Sequence, residues 1–166
     1  YENVLVTRVH HEYILFENLP GIEKVEDITP QFWENRMEQM VNFEKHISLN
    51  GTKVLKFYFH MSKDEQRERL LKRLENPEDN WKFSTGDLKE RERWDDYMKY
   101  YEEAINKTST DFAPWYIVPA DDKGVARYSV AKIIWEELEK LTDIAEPELD
   151  PKVKANIEEY RTQLKK

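Results

Sequence analysis

The sequence contains no cysteine, and that absence alone removes disulfide frameworks, thiolate metal centres and cysteine nucleophiles. Glycine is almost as scarce: Gly21, Gly51, Gly86 and Gly124 are the only four. They stand too far apart for a G-x-x-x-x-G-K-[ST] or G-x-G-x-x-G loop, so these residues hold no glycine nest to cradle a nucleotide β-phosphate. No apolar run approaches the roughly 18 residues of a membrane span, and no charged-then-apolar start precedes Val4, so neither a span nor a signal peptide is expected. A basic surplus is missing too. The net charge of −8 argues against a general nucleic-acid binder. This profile suits a reducing cytoplasm, and a start at Tyr1 rather than Met reads as a truncated chain.

What is present supports a folded body. A hydrophobic share of 39%, with 13% aromatic residues, is enough for one core, and the 36% charged share predicts solvated helices rather than a disordered tail. The expected organisation is one body over 1–141, with a lid at roughly 62–107, and a C-terminal helical extension over 142–166.

Val4-Leu5-Val6 through Val9 reads as a short buried strand, and 12–28 as a loop turned at Pro20-Gly21. Thr29-Pro30 opens a helix, Thr as the cap and Pro at the first helical position. Trp33, Met37, Met40, Val41 and Ile47 continue it at helical spacing, interrupted by Glu44, and Asn50-Gly51 ends it. Val54 to His60 (VLKFYFH) suits a strand buried on both faces of a parallel sheet. Ser62-Lys63-Asp64-Glu65 is a capping box. The helix it opens carries Leu70, Leu71 and Leu74 as a buried stripe, and Pro77 closes it. A polar link holds Trp81-Lys82-Phe83, and Ser84 and Asp87 have capping spacing before a second long helix. The apolar face of that helix is Trp94, Tyr97, Met98, Tyr101, Ala104 and Ile105. Trp115 to Val118 is another strand, 124–141 a helix, and Asp150-Pro151 opens a polar helix over roughly 151–164. This order predicts an α/β arrangement with a parallel sheet.

Arginines are the residues most suggestive of chemistry. From Ser62 to Arg93 nine Lys and Arg stand against nine Asp and Glu, so the acidic surplus lies elsewhere. Arg69 and Arg73 are four residues apart, hence on one helix face. Arg91 falls at the edge of the second helix's buried face and Arg93 near the opposite edge. Such arginines either snorkel at the surface or line a cleft. In a cleft, guanidinium supplies the fixed, bidentate positive charge that phosphoryl transfer needs. Lys82, flanked by two aromatics, is either aimed by their docking or part of a plain hydrophobic anchor. His10 and His11 point in different directions, which is poor metal geometry, and a structural or solvent role suits them. Asp95-Asp96 and Asp121-Asp122 are adjacent rather than facing, unlike a paired-carboxylate acid/base site.

A string of motifs in order resembles the polyphosphate kinase 2 family: YENVLV from Tyr1, NGTKVLKFYF from Asn50, HMSK from His60 and NWKFS from Asn80. They continue with Lys89-Glu90-Arg91, Trp94-Asp95-Asp96-Tyr97 and APWYIVPADDK from Ala113 to Lys123. The stretch from Glu12 to Ile22 resembles the branch using AMP, or AMP and ADP, more than the ADP-only branch. The resemblance implies a partial P-loop kinase-like fold, a three-layer parallel sheet with a helical lid. It also implies transfer of phosphate between polyphosphate and AMP or ADP with Mg²⁺, in a cytoplasmic homo-oligomer without nucleic-acid or membrane partners. The family's Walker A and Walker B motifs precede the position of Tyr1, so the Mg²⁺ ligands are expected upstream and these 166 residues alone are expected to be inactive. By motif matching Lys82 and Arg91 become the catalytic lid cations. Arg69, Arg73, Lys89, Asp121 and Lys123 become substrate-binding residues, with no metal ligand among them. Gly124 stands where the family often carries Trp. Two other readings remain: an ATP-dependent nucleoside monophosphate kinase, or a non-catalytic module that binds polyphosphate or a partner.

Overall fold

The computed structural model describes residues 1–142 and 144–165; Asp143 and Lys166, both in the expected C-terminal extension, lie outside the described residues. The chain divides into two units, Tyr1–Val130 and Ala131–Lys166.

The first unit opens with a helix in place of the expected strand: α1 (Glu2–Val9), followed by a 3₁₀ segment at His11–Glu17. A short apolar run looks alike in a buried strand and a buried helix, so periodicity could not separate them. Val4 and Leu5 of α1 pack with Ile14, Ile28, Trp33, Met37 and Ala104 into the core. Helix α2 (Pro30–Leu49) begins as its sequence predicts, with Thr29 accepting from the Phe32 amide and Pro30 in the first turn. Gly51, just past its end, has φ +88°, a left-handed conformation that glycine adopts without steric cost.

Strand β1 (Lys56–His60) pairs in parallel with β2 (Trp115–Pro119), in register from Lys56 opposite Trp115 to His60 opposite Pro119. The α/β class therefore holds. The expectation of a strand buried on both faces does not: burial fades along β1 from Lys56 to an exposed Phe59 and His60. Among the described residues β1 has one strand neighbour, which leaves its other edge without a ladder.

Between the strands lie α3 (Lys63–Glu75), α4 (Thr85–Glu92) and α5 (Trp94–Thr108). The second long helix of the sequence reading is thus two, broken at Arg93, so one helical wheel does not relate Arg91 to Arg93. Ser62 and Ser84 cap α3 and α4 as their spacing predicts. The buried leucine stripe of α3 is absent: no residue of α3 is buried, and Leu71 and Leu74 are exposed. Polar ties at its ends hold it instead. The Asn80 side-chain amide donates to the carbonyls of Arg73 (2.7 Å) and Leu74 (2.9 Å), satisfying the helix's last acceptors.

Helix α6 (Lys123–Leu138) follows β2, and α7 (Pro151–Ala155) and α8 (Ile157–Leu164) replace the single terminal helix expected. No helix among the described residues is long and apolar enough to cross a membrane.

Glu44, the charge that interrupted the apolar face of α2, is buried against a partner on β1. Lys56 Nζ donates to Glu44 (2.6 Å) and to the Thr108 carbonyl (2.7 Å). Tyr1 donates its hydroxyl to the other Glu44 oxygen at 2.9 Å. Both charges are buried and every strong donor of the cluster is answered, which is the condition under which a buried ion pair is tolerated.

Candidate functional site

Because the strands are parallel, their carboxyl ends lie together, where open α/β sheets gather ligands. The Ala120 amide donates to the His60 carbonyl at 2.9 Å, extending the pairing past β2. Asp121 then accepts from the Ser62 amide at 2.7 Å, joining the β1–α3 turn to the β2–α6 turn. That amide holds the Asp121 carboxyl below the usual aspartate range. Asp122 faces elsewhere and accepts from the Val125 amide in the first turn of α6. The two aspartates thus have separate partners.

Beside these turns opens a cleft of about 430 Å³ lined by Arg69, Lys72, Arg73, Asp79, Lys82 and Lys123. Five cations face one carboxylate. Arg69 is fixed from two sides: it pairs with Glu65 at 2.7 Å, and one of its terminal amino groups donates to the carbonyls of Ala120 (2.7 Å) and Asp121 (3.2 Å). Lys82 meets Asp79 at 2.6 Å, and this contact, aided by Asn76, lowers the Asp79 pKa. Lys72, Arg73 and Lys123 form no ion pair with a carboxylate among the described residues. Cations that outnumber their counter-charges repel one another and are relieved by a polyanion.

The structure therefore brings together Arg69, Arg73, Lys82 and Lys123 of the predicted set. Asp121 lies at the adjoining strand-end hollow, with His60, Ser62 and Val125. Arg91 does not line the cleft. It donates to the Lys63 carbonyl (2.6 Å) and to Gln66 (2.9 Å), pinning α4 to the first turn of α3. Lys89 is exposed on α4, away from the cleft lining. Trp81 does not dock: it is 79% exposed, with Lys82 Nζ 5.4 Å from its ring centre, while Phe83 is half-buried and the short 3₁₀ turn Asn80–Lys82 is secured through Asn80 and Asp79. Lys72 and Asp79 were missed. Lys72 adjoins Arg73 and stands three residues from Arg69, and Asp79 stands three before Lys82; both spacings were visible. Among the described residues no group of three His, Asp or Glu side chains converges as a bound metal ion would require.

A parallel strand pair flanked by helices, with a cationic cleft beside its carboxyl end, defines an α/β protein with a candidate anion site. The chain belongs to the polyphosphate kinase 2 (PPK2) family, whose model matches residues 14–146. It is 45% identical over its whole length to an ADP-polyphosphate phosphotransferase of Rhodopseudomonas palustris, covering 56% of that protein. It is 43% identical over 141 residues to an AMP/ADP-polyphosphate phosphotransferase of Meiothermus ruber, covering 84% of this chain and 51% of that one. The crystal structure of polyphosphate kinase 2 from Arthrobacter aurescens TC1 superposes with a TM-score of 0.70 at 39% identity, covering 77% of this chain and 46% of that one. The chain thus spans about half the length of the curated relatives it matches.

Proposed function

We propose that this chain is the phosphate-gripping part of a polyphosphate-dependent nucleotide phosphotransferase, which passes phosphate between polyphosphate and AMP or ADP. The observation that carries this reading is the cleft with five cations to one carboxylate, set beside the carboxyl ends of two parallel strands. Arg69, Lys72, Arg73, Lys82 and Lys123 hold the polyphosphate chain, and Asp121 borders the nucleotide at the strand ends. Helices α3 and α4 act as the lid. Arg91 and Lys89 reach the phosphates when α4 closes together with α3, Arg91 keeping its grip on the first turn of α3. Mg²⁺ accompanies the phosphates and takes its ligands from outside these residues. Absence of cysteine suits a cytoplasmic setting, and the exposed Phe43 and Phe59 suit self-association.

Titration of the protein with polyphosphate at rising salt tests the reading. Affinity should fall steeply as salt rises, because each cation that meets a phosphate releases counterions. No binding at low salt, or binding indifferent to salt, would sink it. Incubated with polyphosphate, Mg²⁺ and AMP or ADP, the 166 residues should bind yet form no ADP or ATP, because they lack the glycine loop.

A further inference from the structure

One carboxylate outside the cleft joins three helices. Glu90 of α4 accepts from the Tyr97 hydroxyl of α5 at 2.5 Å, and both its oxygens lie 3.1 Å from Nε2 of His10, the residue that ends α1. The His10 ring is only 18% exposed, stacks on Tyr13 at 5.0 Å, and has Nδ1 3.5 Å from Glu12. The hydrogen bond from Tyr97 is the main reason the Glu90 carboxyl sits below its usual range; burial opposes it and His10 assists.

The next residue along α4 is Arg91, which projects roughly 100° further round the helix and holds the first turn of α3. Helix α4 has eight residues and no buried side chain. A helix so short is marginal alone, so its place depends on such tethers. The neighbours Glu90 and Arg91 are opposed grips: one fastens α4 to α1 and α5, the other fastens α3 to α4. Further along α3 stand Arg69, Lys72 and Arg73.

We infer that Glu90, held by His10 and Tyr97, is a positioning residue for the cationic cleft, acting through Arg91 to set where α3 presents its cations. The inference rests on the proposed function only for the identity of the ligand. Removing the Glu90 carboxylate frees α4, and α3 then loses a fixed support at its start. A glutamine keeps an acceptor for Tyr97 and offers an amide to His10, so it preserves most of the grip.

The test uses inorganic polyphosphate as the probe, with orthophosphate as a control, on the parent protein and on Glu90→Ala, Glu90→Gln, Arg91→Ala and the Glu90→Ala/Arg91→Ala pair. Glu90→Ala should weaken polyphosphate binding about tenfold, on the scale of one lost charge-assisted contact. It should also speed hydrogen exchange in 85–92 and the first turn of α3, with the thermal midpoint of the core unchanged. Glu90→Gln should restore most of the affinity. In the Arg91→Ala background Glu90→Ala should add little, since both act along one path. Additive losses, an unaltered affinity in Glu90→Ala, or a loss that only tracks global unfolding would each overturn the inference. Failure of the parent to bind polyphosphate would instead overturn the proposed function. The exchange comparison would still decide whether Glu90 steadies α3.

Discussion

Two lysines at opposite ends of one small sheet live in opposite settings. Lys56 opens β1 and is buried, with Glu44, Tyr1 and the Thr108 carbonyl answering it. Lys123 follows the far end of β2, exposed, and shares its cleft with four other cations and one carboxylate. The first lysine has all its charge compensated within the fold, so it serves the fold. The second leaves charge uncompensated, and uncompensated charge at a strand end is available to a ligand. Whether a cation has its own counter-charge separates the two roles better than its residue type does.

The largest expected effect tests the structural end of that contrast. Lys56→Ala leaves the Glu44 carboxylate buried without its partner and should cost about 3–5 kcal/mol in urea unfolding. Replacing both charges, Glu44→Leu with Lys56→Met, should recover much of the loss. A Lys56→Ala cost like that of an ordinary surface change would end the distinction. At the other end, Arg73→Ala with Lys82→Ala should change stability by only about 0.5 kcal/mol. The same pair should weaken polyphosphate binding by roughly 10²-fold and lower the salt slope by about two. Unfolding by this pair would make the cleft a structural cluster.

Acid sharpens the comparison further. Burial alone would raise the Glu103 pKa, but Lys107 and Arg8 outweigh it and hold the carboxyl below its usual range, as Tyr97 holds Glu90. A depressed folded value means stability that is fully present above about pH 4.3, the unfolded value, and lost as pH falls through the folded values. Thermal unfolding across pH 6 to 3 should show that decline, and Glu103→Gln should flatten it. Tyr1 behaves in the opposite sense. Burial, helped by Glu44, raises its pKa, so its share of stability persists below about pH 10 and is lost as pH climbs beyond it. The smallest effect on stability is expected at Trp81, whose exposed ring has the Lys82 ammonium 5.4 Å from its centre. Trp81→Ala should leave the unfolding midpoint within error, and a clear drop would mean that the 3₁₀ turn is anchored through that ring.

The caps were legible because they rest on local chemistry, and so was the parallel pair, though not the first expected strand, which is α1. Thr29-Pro30, Ser62 to Glu65 and Ser84 to Asp87 satisfy backbone groups within one turn, and the structure forms each of them. The parallel pair followed from two apolar runs separated by helical segments. Contacts between distant elements were not legible. Glu44 read as an interruption because its partner lies on the next strand. The leucines of α3 read as a buried stripe because spacing shows which residues share a face, not what faces them. Arg69, Arg73, Lys82 and Lys123 were singled out and do converge. Arg91 was singled out by the same motif matching and lies on the first turn of α3 instead, and His10, read as a structural or solvent residue, proves to face Glu90.

Helix α3 buries no side chain, yet it supplies three of the five cleft cations. Its exposed face can therefore accept substitutions with little penalty to the core, while each one alters the field that an approaching anion meets. The spacing and sign of charge along α3 form a dial separate from folding. Adding or removing a turn's worth of lysine and arginine there is a direct way to retune the cleft's field without disturbing the core.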